Sequence, residues 1–194
     1  MDSLFAAVTD PDCQIRQAAC YGVNVAARIH EFGTVAKQAV QRLIMTISQP
    51  NSKNKKNLMP TENAVAALGN ICEKHEAALG TDAGACWNQW IQNLPLTQDE
   101  EEGQVTHAQL LRLVQAQHAS VLGPNTSNLP KIVHVFTQVY KRDSCSEETS
   151  QGIAKVLMSL PEATLSQMIN GFPVSDKKKA VRIIQEIRAA AGVQ

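Results

Sequence analysis

Two stretches decide how this chain folds: Ile15–Ala27, IRQAACYGVNVAA, and Thr61–Cys72, TENAVAALGNIC. Each carries small and aliphatic residues three and four apart, the spacing that gathers them on one face of an α-helix. In the first the face reads Ile15, Ala18, Ala19, Gly22, Val23 and Ala26, with Ile29 just beyond; in the second it reads Ala64, Val65, Leu68, Ile71 and Cys72. Sliding one stretch onto the other aligns Ala19 with Ala64, Gly22 with Ala67, Val23 with Leu68, Ala26 with Ile71 and Ala27 with Cys72, an offset of 64 − 19 = 45. That offset lies within the roughly 40–47 residue period of two-helix HEAT-type repeats. Small residues at the recurring positions let neighbouring helices approach closely and stack in a shallow curve.

Outward from these helices the pattern continues as helix, break, helix. Asp10 or Asp12 stands where the first helix needs an N-cap. After Gly33 a second helix is predicted with Val35, Ala39, Val40, Leu43 and Ile47 inward and Lys37, Gln38, Gln41 and Arg42 outward, ending before Pro50. The polar run Asn51–Met59, with Lys53, Lys55 and Lys56, reads as an exposed connector, and helix is expected to resume after Pro60 with Thr61 as its cap. A Trp-bearing helix, 85–94, precedes a long one from about Gln98 to Leu122, stopped by Gly123 and Pro124. Helices are then expected over 129–141, 147–160 and 175–190, with a short segment at 161–172.

The composition fits this reading. With 194 residues and 44% of them hydrophobic, the chain is long enough to bury a core as one domain or one repeat array. Aromatic residues make up only 4%, and the remaining apolar content is mostly Ala, Val, Ile and Leu, which suits helices packed on helices. The expected fold is all-α: a right-handed α-solenoid of about four to five HEAT-type antiparallel helix pairs in a single array. Approximate repeats fall at 1–30, 31–80, 81–123, 124–160 and 161–194.

Lys+Arg and Asp+Glu are each 18, so no excess of cations points to direct nucleic-acid binding or an anionic membrane surface. No apolar run reaches the roughly 18 residues that membrane insertion requires. Five cysteines, an odd number without a C-x-x-C pair, point to a reducing compartment. The five histidines match no zinc spacing, and no G-x-S-x-G, P-loop, H-E-x-x-H or dinucleotide-binding turn is present, so no metal, cofactor, catalytic residue or enzymatic activity is assigned.

Three blocks go beyond a generic repeat: IRQAACYGVNVAA (15–27), TENAVAALGNIC (61–72) and WNQWIQNLPLTQDEEEGQVTHAQLLRLV (87–114). They resemble the importin beta (karyopherin beta) nuclear transport receptors, in their importin-five-like branch. The third is the most specific, joining a Trp-containing outer helix, a Leu-Pro-Leu exit and an acidic run that opens the next inner helix. The resemblance implies the C-terminal HEAT repeats of a longer import receptor, which binds basic cargo proteins or nuclear localisation signals. It also implies release of cargo on binding the GTP form of the Ran GTPase, passage along phenylalanine-glycine nucleoporins mainly through repeats absent here, and shuttling between cytoplasm and nucleus. The alternative is a HEAT-repeat scaffold of a phosphatase or cytoskeletal assembly, which would not account for the third block.

Candidate partner-binding residues follow from chemistry and position. Asp99, Glu100, Glu101 and Glu102 concentrate negative charge at a helix start, suited to gripping Lys/Arg-rich segments and equally to complementing the helix dipole. Trp87 and Trp90, three apart, share a face and would either stack on a partner or fill the core. Glu62 and Asn63, in the first turn of an inner helix, would face the concave groove and an extended peptide, or tie down a connector. The lysines of the 51–59 connector and Lys177–Lys179 read as solvated charges.

Overall fold

The computed structural model describes residues 1–192, and among these there is helix and connecting loop but no strand. The helices are α1 (Asp2–Ala7), α2 (Cys13–Ala26), α3 (Ala36–Ile47), α4 (Lys55–Leu79), α5 (Ala83–Gln92), α6 (Glu100–Gln115), α7 (Ala119–Leu122), α8 (Leu129–Val139), α9 (Glu147–Ser159), α10 (Glu162–Asn170) and α11 (Val174–Ala190). Residues 193–194, the end of the expected final repeat, lie outside the described residues.

Helices α2, α4, α6 and α9 form the inner row, each packed on the next, while α3, α5, α8 and the α10–α11 pair cover them from outside. Three of the four inner helices open with a side-chain cap that satisfies free backbone amides. Asp12 accepts from the Gln14 amide at 2.7 Å, Asp99 from Glu102 at 3.1 Å and Ser146 from Thr149 at 3.1 Å. The predicted α3 forms with Ala39, Val40, Leu43 and Ile47 buried, and Gly123, at φ +74°, ends α7 as expected. Between the rows the apolar side chains make one continuous core that includes Phe5, Phe32, Trp87, Trp90 and Phe136.

Three expectations are corrected. The buried face of α2 is rotated from the predicted one: Arg16, Ala19, Cys20, Val23, Asn24 and Ala27 are buried, whereas Ile15 and Ile29 are 47% and 55% exposed and Ala18 is exposed. Arg16 and Asn24 take inward positions, where each finds hydrogen-bond partners. Helix α4 starts at Lys55, so much of the expected connector is helical and Pro60 sits inside the helix. The bond Pro60 forfeits would have gone to the carbonyl of Lys56, an exposed residue in the first turn of the helix. Thr61 is therefore no cap; its buried hydroxyl lies 2.8 Å from the Asn57 carbonyl and 3.0 Å from that of Ser52.

The long helix expected over 98–122 breaks into α6 and α7. Gln117 adopts φ +54°, its amide bonding the Val114 carbonyl while the His118 amide reaches Leu113, both at 3.0 Å. This paired arrangement is the Schellman ending that usually recruits glycine.

Candidate functional site

The inner helices present a groove of about 700 Å³ whose walls come from α2, α4, α6 and α9. Polar crossbars run along it from one inner helix to the next. Asn70 of α4 donates to both the backbone and side-chain oxygens of Asn24 on α2, each at 3.0 Å, and Asn24 in turn donates to the Glu102 carboxylate of α6 at 3.2 Å. Gln109 donates to the Gly69 carbonyl, and Arg112 forms a two-pronged ion pair with Glu73 that holds the Glu73 carboxyl below its ordinary range. Each amide or carboxylate fixes the spacing of two repeats while leaving polar edges toward the groove.

Charge is sorted across the groove by helix polarity. Glu102 and Glu148 lie in the first turns of α6 and α9, and Arg28, Lys74 and Arg112 lie near the far ends of α2, α4 and α6, as the macrodipole favours. Val105, 64% exposed between these rims, supplies an apolar strip. Acidic groove residues thus gather where α6 and α9 begin.

That rim holds the acidic run. Asp99 is the α6 cap and also accepts from Asn63 Nδ2 at 2.7 Å, while Glu100 and Glu101 are exposed. Half-buried Glu102 is pushed above the ordinary carboxylate range, first by burial and then by the negative charge of Asp99. A cleft of about 330 Å³ lies beside the run, bounded by Asp99, Glu101 and Glu102 on one side and by Gln14, Gln17 and Tyr21 of α2 on the other. Tyr21 is 53% exposed there, and nothing in its local sequence distinguishes it from an outward-facing helix residue. The sequence does not single it out, because the cleft forms only where α2 and α6 come together across some 80 residues.

Glu62, Asn63, Trp87 and Trp90 require correction as partner-binding residues. Buried Glu62 accepts from the backbone amides of Thr97, Gln98 and Asp99 at 2.7–2.9 Å, so it ties down the loop into α6 and offers no free edge to a peptide. Asn63 is buried too, and its amide serves Asp99. Both tryptophans are fully buried, edge to face at 5.3 Å, with Trp87 Nε1 donating to Glu76 at 3.0 Å. Their faces meet the core, which rules out stacking on a partner. Among the described residues no group of three or more His, Cys, Asp or Glu side chains is placed to hold a metal ion, and no helix is long and apolar enough to cross a membrane.

No family model matches the chain. Importin subunit beta-3 of Saccharomyces cerevisiae is 26% identical to it over 175 residues, covering 87% of this chain and 16% of that protein. The chain is thus similar in sequence to an importin beta protein over most of its length. The fold agrees: the crystal structure of the karyopherin Kap121p bound to the extreme C-terminus of the protein phosphatase Cdc14p matches with a TM-score of 0.62 over 93% of this chain, at 23% identity. The array spans 16% of the length of each of these two proteins. Within it the groove, the acidic rim and Tyr21 together form the candidate binding site.

Proposed function

We propose that this array is part of a nuclear import receptor and that its inner face binds an extended, Lys/Arg-rich cargo segment. One observation carries the assignment: Asp99, Glu101 and Glu102 face exposed Tyr21 across a cleft of side-chain size. A cationic head group there meets carboxylates on one side and an aromatic ring on the other, while its aliphatic stem lies along the cleft. The similarity to importin subunit beta-3 supports the transport role, and Kap121p is a karyopherin bound to the extreme C-terminus of another protein. Activity is binding without chemistry. Cargo release by Ran-GTP, passage along phenylalanine-glycine nucleoporins and shuttling between cytoplasm and nucleus belong to the longer receptor of which this array is a portion.

The test is fluorescence anisotropy of a labelled basic import-signal peptide against the wild-type chain and the Tyr21→Ala and Glu101→Lys variants, both at exposed positions. Affinity should fall about tenfold for the charge reversal and less for Tyr21→Ala, with a shallower salt dependence in Glu101→Lys. Equal binding by all three proteins would remove the cleft from the cargo path.

A further inference from the structure

A second polar pocket lies where α2 and α4 begin. Arg16 is 4% exposed, yet among the described residues it forms no ion pair with a carboxylate. Its Nη1 donates to the backbone carbonyls of Asp10 at 2.6 Å and Pro11 at 3.0 Å, its Nη2 donates to Asn57 Oδ1 at 2.6 Å, and its buried Nε has no partner. A guanidinium carries five N–H donors, so neutral acceptors engage only part of this one and none balances its charge. A cation taken out of water in this state is costly unless an anion joins it.

Arg16 and all three acceptor residues line a polar pocket of about 340 Å³, so the guanidinium sits against its wall; Thr9, Gln49, Asn51 and Lys56 complete the lining. Lys56 and Asn57 lie in the first turn of the 25-residue α4, whose N-cap, Asn54, makes no side-chain capping bond. The Lys55 and Lys56 amides therefore lack intrahelical acceptors at the positive end of a long helix dipole. Asp10 is the one carboxylate in the lining, and its Oδ1 already accepts from the Asp12 amide at 2.8 Å.

We propose that this pocket binds a tetrahedral oxyanion, either free phosphate or the phosphate of a phosphorylated side chain, held by Arg16, Lys56 and the first amides of α4. The uncompensated guanidinium supplies the charge, and the helix start supplies directed donors. The site is separate from the cargo cleft in its residues and opposite to it in the charge it selects.

The full chain, labelled with ¹⁵N, is titrated with inorganic phosphate and, separately, with a neutral peptide carrying one phosphoserine, at ionic strength held constant with chloride. Saturable shifts of the Lys55, Lys56 and Asn57 amides are expected, absent with the unphosphorylated peptide; the tighter of the two titrations names the source of the anion. Lys56→Ala should weaken binding about fivefold and Asp10→Asn should strengthen it, each at a position that is not fully buried. Arg16→Gln removes binding where circular dichroism shows that it folds. Absence of saturation with both probes, or titrations unchanged by Lys56→Ala and Asp10→Asn, overturns the proposal.

Discussion

Trp90 lies with its indole edge directly over Gly69: a Cβ built there would stand 2.3 Å from Nε1 and 2.7 Å from Cε2. The ring is fully buried against Trp87 and has nowhere to retreat. Gly69→Ala should therefore destabilise by ~1–3 kcal/mol through overpacking, despite alanine's better helix propensity. Gly84→Ala on α5, where no atom lies within 4 Å, should gain up to ~1 kcal/mol; urea unfolding of the two variants reads both signs. A second residue sets the acid limit. His107 is buried between two loops, its Nδ1 2.7 Å from the Ser144 carbonyl and its Nε2 accepting from the Leu96 amide at 3.2 Å, and burial pushes its pKa down to about 4. The folded protein thus resists a proton that the unfolded chain accepts below about pH 6.5. Stability is complete above that pH and falls as pH drops toward 4, by about 2 kcal/mol at pH 5. In a folded His107→Gln variant the difference in urea stability between pH 7 and pH 5 should shrink by that amount. Neither role is visible in the sequence, where Gly69 reads as a weak point in a helix and His107 as one of several scattered imidazoles. Glu62 misleads for the same reason, since the three amides it serves lie 35 to 37 residues further on.

Helices are where sequence and structure agree best, because apolar spacing and local stop signals act within a few turns. The predicted starts and ends of α3, α8, α9 and α11 stand within two residues of those observed, and Gly123 marks its turn openly. The failures are also local. Pro60 stands early enough in α4 to be carried inside it, and Gln117 takes a left-handed conformation that a glutamine does not advertise. The second case gives a prediction. A non-glycine residue at φ +54° carries a strain cost that glycine avoids, whereas the Schellman bonds of the Gln117 and His118 amides belong to the backbone and survive substitution. Gln117→Gly should raise stability by ~1 kcal/mol, and Gln117→Val should lower it, because branching at Cβ crowds that conformation. Thermal unfolding of the pair decides the point; a loss in Gln117→Gly would mean that the side-chain bond from Gln117 Nε2 to Val114, 3.2 Å long, outweighs the relief of strain.

At the scale of the whole molecule, inner helices meet chiefly their neighbours in order, α2 with α4, α4 with α6, α6 with α9, while α10 and α11 close on α8. The 45-residue offset relates α2 to α4, two helices that pack on each other, but the later helices drift from that period and carry no such guide. A stack held by nearest-neighbour surfaces stores its stability as a sum of interfaces and need not open all at once. The last pair is the natural place for opening to begin, since α11 rests on α8 and α9 through Ala180, Ile183, Ile184 and Ile187. Truncating Ile184, nearly buried in that surface, removes ~2–5 kcal/mol of packing from one interface. Native-state hydrogen exchange of Ile184→Ala should then show amides of α8, α10 and α11 losing protection while those of α2, α3 and the core of α4 keep theirs. Equal loss from α2 to α11 would instead mean that the crossbars through Asn24, Asn70 and Glu102 bind the repeats into one cooperative unit, and that the groove cannot change pitch by local opening at its end.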